Sequence, residues 1–255
     1  MGIIKRKKYE FTGKTKVVTQ SNESHTLHQI KALKDFRDIK AGYLGGWIEK
    51  EENLSQEGDS WVYSNAMVYG NAEVYDDAMI YDNAVVYGSS VVHDTTKVYG
   101  NAQVYGKASI GGTAKVYGKA RVLDDAQVYG NAQVLDDAVV RDTAKVYDDA
   151  EVYGGALIRG TAEVYGNAQV YDEAFIRDAA QVYGKASIGG TAQVYDNARV
   201  YGNARVSGDA QVYGNAQVLD DAMVCDEAIV KGNAIVTNNA VISGKVEIFD
   251  DYHTI

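Results

Sequence analysis

Residues 126–149 read AQVYGN-AQVLDD-AVVRDT-AKVYDD: a small residue, an aliphatic one and a turn-forming pair recur in fixed places. The pattern runs far beyond this stretch. From Ala66 to Ala240 every sixth residue is Ala, except Ser90 and Thr96. Two places later, from Val68 to Ile242, the residue is always Val or Ile. Two places later again, from Gly70 to Gly244, it is Gly or Asp in every unit but Asn238. A period of six suits no helix, because about 3.6 residues per turn would carry the aliphatic position around the axis. It suits a short strand and a corner. Strand side chains alternate, so Val points inward while its two neighbours point outward. Gly or Asp followed by Asn or Asp makes a corner that tolerates left-handed backbone angles, and Ala fits where the chain crowds inward.

A longer period is also present. VVRDTA (139–144), LIRGTA (157–162) and FIRDAA (175–180) recur every third unit, which predicts three units per coil and a triangular prism. The repeat then makes about 10 coils, a rod about 50 Å long at the usual strand spacing. Proline is absent from the whole chain, as expected where every short strand needs its N–H groups for the ladder on both sides. The chain therefore divides into an N-terminal cap over 1–58, a solenoid over 59–249 and a tail over 250–255.

An aliphatic residue followed four places later by a small one, as in Val68 and Ala72, resembles the hexapeptide-repeat proteins. That resemblance implies an all-β fold, a single-stranded left-handed parallel β-helix; the general right-handed preference of crossovers would suggest the opposite hand. In residues 1–58, Tyr9–Thr12 and Thr26–Leu33 alternate as strands do. The segment LHQIKALKDFRDIKAGYLGGWIEKEENLSQEGDSWVY (27–63) leads into Trp61-Val62-Tyr63, read as the first solenoid strand. It is similar to the N-terminal region of YdcK-type proteins. These occur in bacteria and bacteriophages and often carry a transferase label, with no activity attached to particular residues. A stacked coil exposes backbone groups at its ends, so the segment is expected to act as a terminal cap.

Composition excludes several classes. A single cysteine, Cys225, removes a disulfide framework and a Cys-based zinc site. No apolar run is long enough to span a membrane, and the start MGIIKRKKYE lacks the apolar core of a signal peptide. A cytoplasmic protein is expected, in the host cytoplasm if phage-encoded. The net charge of −10 argues against generic binding of nucleic acid. The basic run Lys5-Arg6-Lys7-Lys8 reads as a solvated tail. At the other end Ile229, Ile235, Val241 and Ile248-Phe249 suggest a second cap or a contact between subunits.

The outward positions carry the functional expectations. Coil stacking lines up Tyr63, Tyr81, Tyr99 and Tyr117 on one face, and Tyr129, Tyr147, Tyr165, Tyr183 and Tyr201 on a second. The third face has Tyr69, Tyr87, Tyr105 and Leu123, then Arg141, Arg159 and Arg177, beside an apolar ladder of Val139, Leu157 and Phe175. Stacked tyrosines stabilise a sheet by themselves. Stacked guanidiniums repel unless acidic groups or a partner offset them. Exposed Tyr, Arg and Phe are also the types enriched at interfaces. His93 is the one histidine in the repeat and the candidate general base, since the resemblance implies acyl transfer with a His base at a cleft between prisms of a trimer. No unit is interrupted by the loop that often encloses such a cleft. No metal or cofactor is expected: in the column 118, 136, 154, 172, 190 Asp alternates with Gly, which separates carboxylates instead of gathering ligands.

These readings favour a non-catalytic scaffold that presents Tyr and Arg ladders to a protein partner or, as a homotrimer, to sister subunits. The phage or bacterial setting implied by the resemblance adds a binder or inhibitor of a host factor. The enzyme alternative is an acetyl-CoA-dependent acyltransferase. Two lesser readings are a nucleotide-ligand binder and a DNA mimic, the second weakened by the basic residues interspersed among the acidic ones.

Overall fold

Each six-residue unit forms a two-residue strand closed by a corner, and a computed structural model of the chain describes this for residues 7–249. The expected tail at 250–255 lies outside the described residues. In the strand Gln133–Val134 the Val is buried and the Gln half-buried, and this inward–outward alternation recurs along the rod. Two residues after the buried Val the chain turns with a positive φ, 69° at Gly130 and 58° at Asp136. Only Gly, Asn and Asp take that conformation readily. Strands 18 residues apart pair in parallel and in register, Gln133 opposite Glu151 and Val134 opposite Val152. Between coils the N–H of Met67 donates to Ala84 O at 3.0 Å, that of Tyr69 to Val86 O at 3.1 Å and that of Asn71 to Gly88 O at 2.6 Å.

Three sheets result, of 14, 11 and 10 strands. They enclose a core of stacked Val, Ile and Ala side chains with essentially no exposure. The solenoid has about 11 coils, one more than the repeat count predicts, as the strands of the 11-stranded sheet show. Parallel stacking starts earlier than Trp61. Strand β3 (Leu44–Ile48) pairs with the strand Met67–Val68, Trp47 opposite Met67, and Leu54 bridges Val74. No spacing in the sequence announces this coil, because residues 44–60 share its register without sharing the six-residue composition.

Upstream, β1 (Tyr9–Gln20) and β2 (Glu23–Ala32) form an antiparallel hairpin, and β2 pairs antiparallel with β3. The hairpin thus converts an antiparallel edge into the parallel stack. Lys8 corrects the solvated-tail reading. It is fully buried, its Nζ donating to Ser60 O at 2.9 Å and Ser60 Oγ at 3.1 Å. Burial pushes its pKa down to about 8. Lys7 pairs with Glu51 at 2.7 Å, whereas Lys5 and Arg6 lie outside the described residues. The far end is less covered: Ile248 packs on the core, but Val241 and Phe249 are exposed.

Candidate functional site

Three sheets give three faces, and one of them stacks three arginines beside apolar side chains. On the face built from strands such as Val139–Val140, Leu157–Ile158 and Phe175–Ile176, the register sets Val139 beside Leu157 and Leu157 beside Phe175. The three arginines follow one position after each buried aliphatic residue, so Arg141, Arg159 and Arg177 also stack. All six side chains are half-buried. The Arg159 guanidinium lies 4.9 Å from the centre of the Phe175 ring; that of Arg177 lies 5.7 Å from the same ring and 3.9 Å from that of Tyr195. Such contacts fix the arginines against aromatic rings.

Repulsion along this ladder is partly offset from within. Arg177 pairs with Asp178 at 2.6 Å. Arg141 and Arg159 make no ion pair within 4.0 Å among the described residues, and Arg141 Nε is buried without a hydrogen-bond partner. The coil strands of this face also carry Arg121 and Lys231 against one carboxylate, Glu247, while most of the acidic charge of the solenoid sits in the corners. The sign of the face could have been found from the 18-residue period by sorting charges into strand and corner positions.

The corners explain that acidity. Asp82, Asp142, Asp172 and Asp226 each accept, through Oδ2, the N–H of the residue 18 later, at 3.1, 2.9, 3.0 and 3.1 Å. A corner carboxylate therefore pairs a backbone group as well as tolerating the left-handed angle. The alternation of Asp with Gly holds from Gly118 to Gly190 but not along the other columns. Asp76 stacks below Asp94, Asp124 below Asp142 and Asp178 below Asp196.

The tyrosine ladder on the second face is regular. Neighbouring ring centres from Tyr129 to Tyr201 lie 4.9, 4.8, 4.8 and 4.9 Å apart with nearly parallel planes. Packing raises the hydroxyl pKa of Tyr165 and Tyr183 above the usual value, chiefly by burial and then through the neighbouring rings. The first ladder stacks from Tyr81 to Tyr117, but Tyr63 meets Tyr81 edge-on, at 87°. Tyr69 departs from the outward reading altogether, being only 4% exposed.

What covers Tyr69 is the hairpin. His25, on β2, packs against its ring at 4.9 Å and hydrogen-bonds through Nδ1 to Glu49 Oε1 at 2.9 Å. Glu49 Oε2 accepts the Gly70 N–H at 2.7 Å. Burial pushes the Glu49 carboxyl up, but the hydrogen bonds from His25 and Gly70 outweigh it and hold it below the usual range. Gln20 Nε2 donates to the Tyr87 hydroxyl at 3.2 Å, and a cleft of about 280 Å³ remains between hairpin and coil, lined in part by Gln20, Glu23, His25 and Tyr87. His25 thus ends the ladder Tyr69–Tyr87–Tyr105. Sequence reading could not pair it with Glu49, because only the register of β2 on β3 joins them.

His93 stacks on Tyr75 at 5.4 Å, and its Nδ1 lies 3.1 Å from Asp94 Oδ2. A side chain at Gly111 would place a Cβ 2.6 Å from His93 Cε1, so the imidazole leans into space left by the glycine of the next coil. Tyr171 covers Gly189 in the same way. An aromatic ring shielding a neighbouring strand glycine is a structural role. The three nearest candidate metal ligands are Asp76, His93 and Asp94, whose ligating atoms lie within 4.8 Å of one another.

This architecture defines a parallel β-solenoid repeat protein with an antiparallel N-terminal sheet region. The model of the YdcK beta solenoid repeat matches residues 72–88, 78–94, 126–142, 192–208 and 198–214. The chain carries YdcK-type β-solenoid repeats. The protein called "Uncharacterized acetyltransferase YdcK" of Escherichia coli (strain K12) is 54% identical to it over 37 residues, 14% of this chain. The chain spans 11% of that relative's length.

Proposed function

We propose that this protein is a non-catalytic interaction scaffold whose Arg face docks a protein partner. The observation that carries the reading is the pre-ordered cluster of Arg141, Arg159 and Arg177 with Val139, Leu157 and Phe175. Arg159 and Arg177 are held on aromatic rings, and Arg141 and Arg159 lack a carboxylate within 4.0 Å among the described residues. A rigid surface of this kind loses little side-chain entropy on binding, and its residue types are those that dominate interface energetics. The Tyr129–Tyr201 ladder offers a second surface on the adjoining face. The acyl-transfer reading suggested by the relative's name would need a base in a cleft, and His93 is instead taken up by Asp94 and Gly111.

The test compares affinity captures with the unaltered chain, Arg159→Glu, and Lys115→Glu on another face as control. A partner lost with Arg159→Glu and kept with Lys115→Glu supports the reading. Identical captures with all three would remove the Arg face from it. Mass measurement in solution separates the two kinds of partner: a trimer broken by Arg159→Glu assigns the face to sister subunits.

A further inference from the structure

The corner columns contain a metal-ligand set that stands apart from the other corners. Stacked aspartates occur in them at Asp76–Asp94, Asp124–Asp142 and Asp178–Asp196. Two of these pairs have arginine just before one member, Arg141 before Asp142 and Arg177 before Asp178, and Arg177 forms the 2.6 Å ion pair. At Asp76–Asp94 the corresponding residue is His93. A guanidinium neutralises carboxylates but cannot bind a metal, whereas a neutral imidazole is a metal ligand.

The geometry points to a divalent transition-metal site formed by Asp76, His93 and Asp94. Their ligating atoms lie within 4.8 Å of one another, so modest side-chain rotation brings them to a common ion. The backbone orients the carboxylates. Asp76 Oδ2 accepts the Asp94 N–H at 3.3 Å and Asp94 Oδ2 the Gly112 N–H at 2.7 Å, which holds each carboxylate by one oxygen. Hydrogen bonds of this kind, outside the ligand set itself, fix ligand orientation in metal sites. The imidazole is set by the Tyr75 stack on one side and the space over Gly111 on the other. Among the described residues no Lys or Arg lies within 4.0 Å of either carboxylate. Two carboxylates and one imidazole, with water completing the shell, suit Zn²⁺ or a similar borderline ion; Ca²⁺ and Mg²⁺ take oxygen ligands and gain nothing from His93.

The experiment is calorimetric titration of the metal-stripped full chain with ZnCl₂, repeated with CaCl₂. One Zn²⁺ per chain is expected, weakened about 10-fold or more in His93→Gln and in Asp76→Asn and unchanged in His25→Gln. Equal Zn²⁺ isotherms for the unaltered chain and His93→Gln, or no binding, would overturn the site. So would Ca²⁺ binding as tight as Zn²⁺ and indifferent to His93→Gln. A measurement on the unaltered chain guards against a folding defect in the variants: substoichiometric Mn²⁺ should broaden the His93 ring signals first, and earlier broadening of His25 or His28 refutes the assignment.

Discussion

Residues 7–62 and the coils from Tyr63 to Phe249 belong to one continuous stack, yet they hold together in different ways. In the coils each contact reaches the neighbour about 18 residues away and is repeated many times, so stability is close to a sum of similar steps. In the first segment the contacts are single. The Asn53 side chain alone accepts from the N–H of Glu49 at 3.1 Å and of Lys50 at 2.9 Å, and donates to Gly70 O at 3.1 Å and Ala72 O at 2.8 Å. Tyr9 donates its hydroxyl to Leu54 O at 2.7 Å, and Lys8 serves Ser60. The segment must end a parallel ladder, and buried side chains there do for the backbone what the next coil does elsewhere. Redundancy protects the coils. The cap has none.

This contrast can be broken at several points, taken from the largest effect down. Asn53→Ala should cost about 3 kcal/mol, because it leaves several backbone groups unpaired without removing much apolar area. Urea unfolding followed by circular dichroism would check it. A cost no greater than that of a single coil substitution would mean the cap is as redundant as the coils. Ala156→Leu inserts bulk into a fully buried coil position and should cost about 2 kcal/mol. Its midpoint shift should be matched by Ala174→Leu one coil on, and a large difference between the two would contradict equivalence of the coils.

The smallest effect per residue is a response to alkali. Tyr63, Tyr81 and Tyr87 have hydroxyls pushed up to about 12, mainly by burial and then by neighbouring acidic groups or rings. A pKa raised in the folded state contributes stability that is intact below about pH 10, where free tyrosine ionises, and is lost as pH rises toward 12. All three rings keep part of their surface in water, which moderates each contribution. Tyrosinate absorbance should therefore lag behind that of the urea-unfolded chain on titration, and coincident curves would refute the shift.

Much of this was visible in the residues alone. The small–aliphatic–corner pattern from Ala66 to Ala240 and the 18-residue recurrence of Arg141, Arg159 and Arg177 lead directly to stacked coils and to the composition of their faces. A repeat makes every contact local in register, so a one-dimensional pattern suffices. The cap was less accessible for the same reason: Lys8 with Ser60 and His25 with Glu49 are single long-range meetings that leave no periodic trace.

What the sequence by itself determined, then, is the coil: its strands, its corners, which side chains face inward and which stack outside. Alternation in a strand and the narrow choice of residues at positive φ leave little freedom there. Only the tertiary structure decided where the stack begins, at Leu44, and which outward groups are no longer outward, as with Tyr69 beneath His25. It also decided that corner aspartates serve the backbone of the next coil, and that Asp76, His93 and Asp94 share one corner. Each of these depends on distances between chain segments, which a residue pattern constrains only where it repeats.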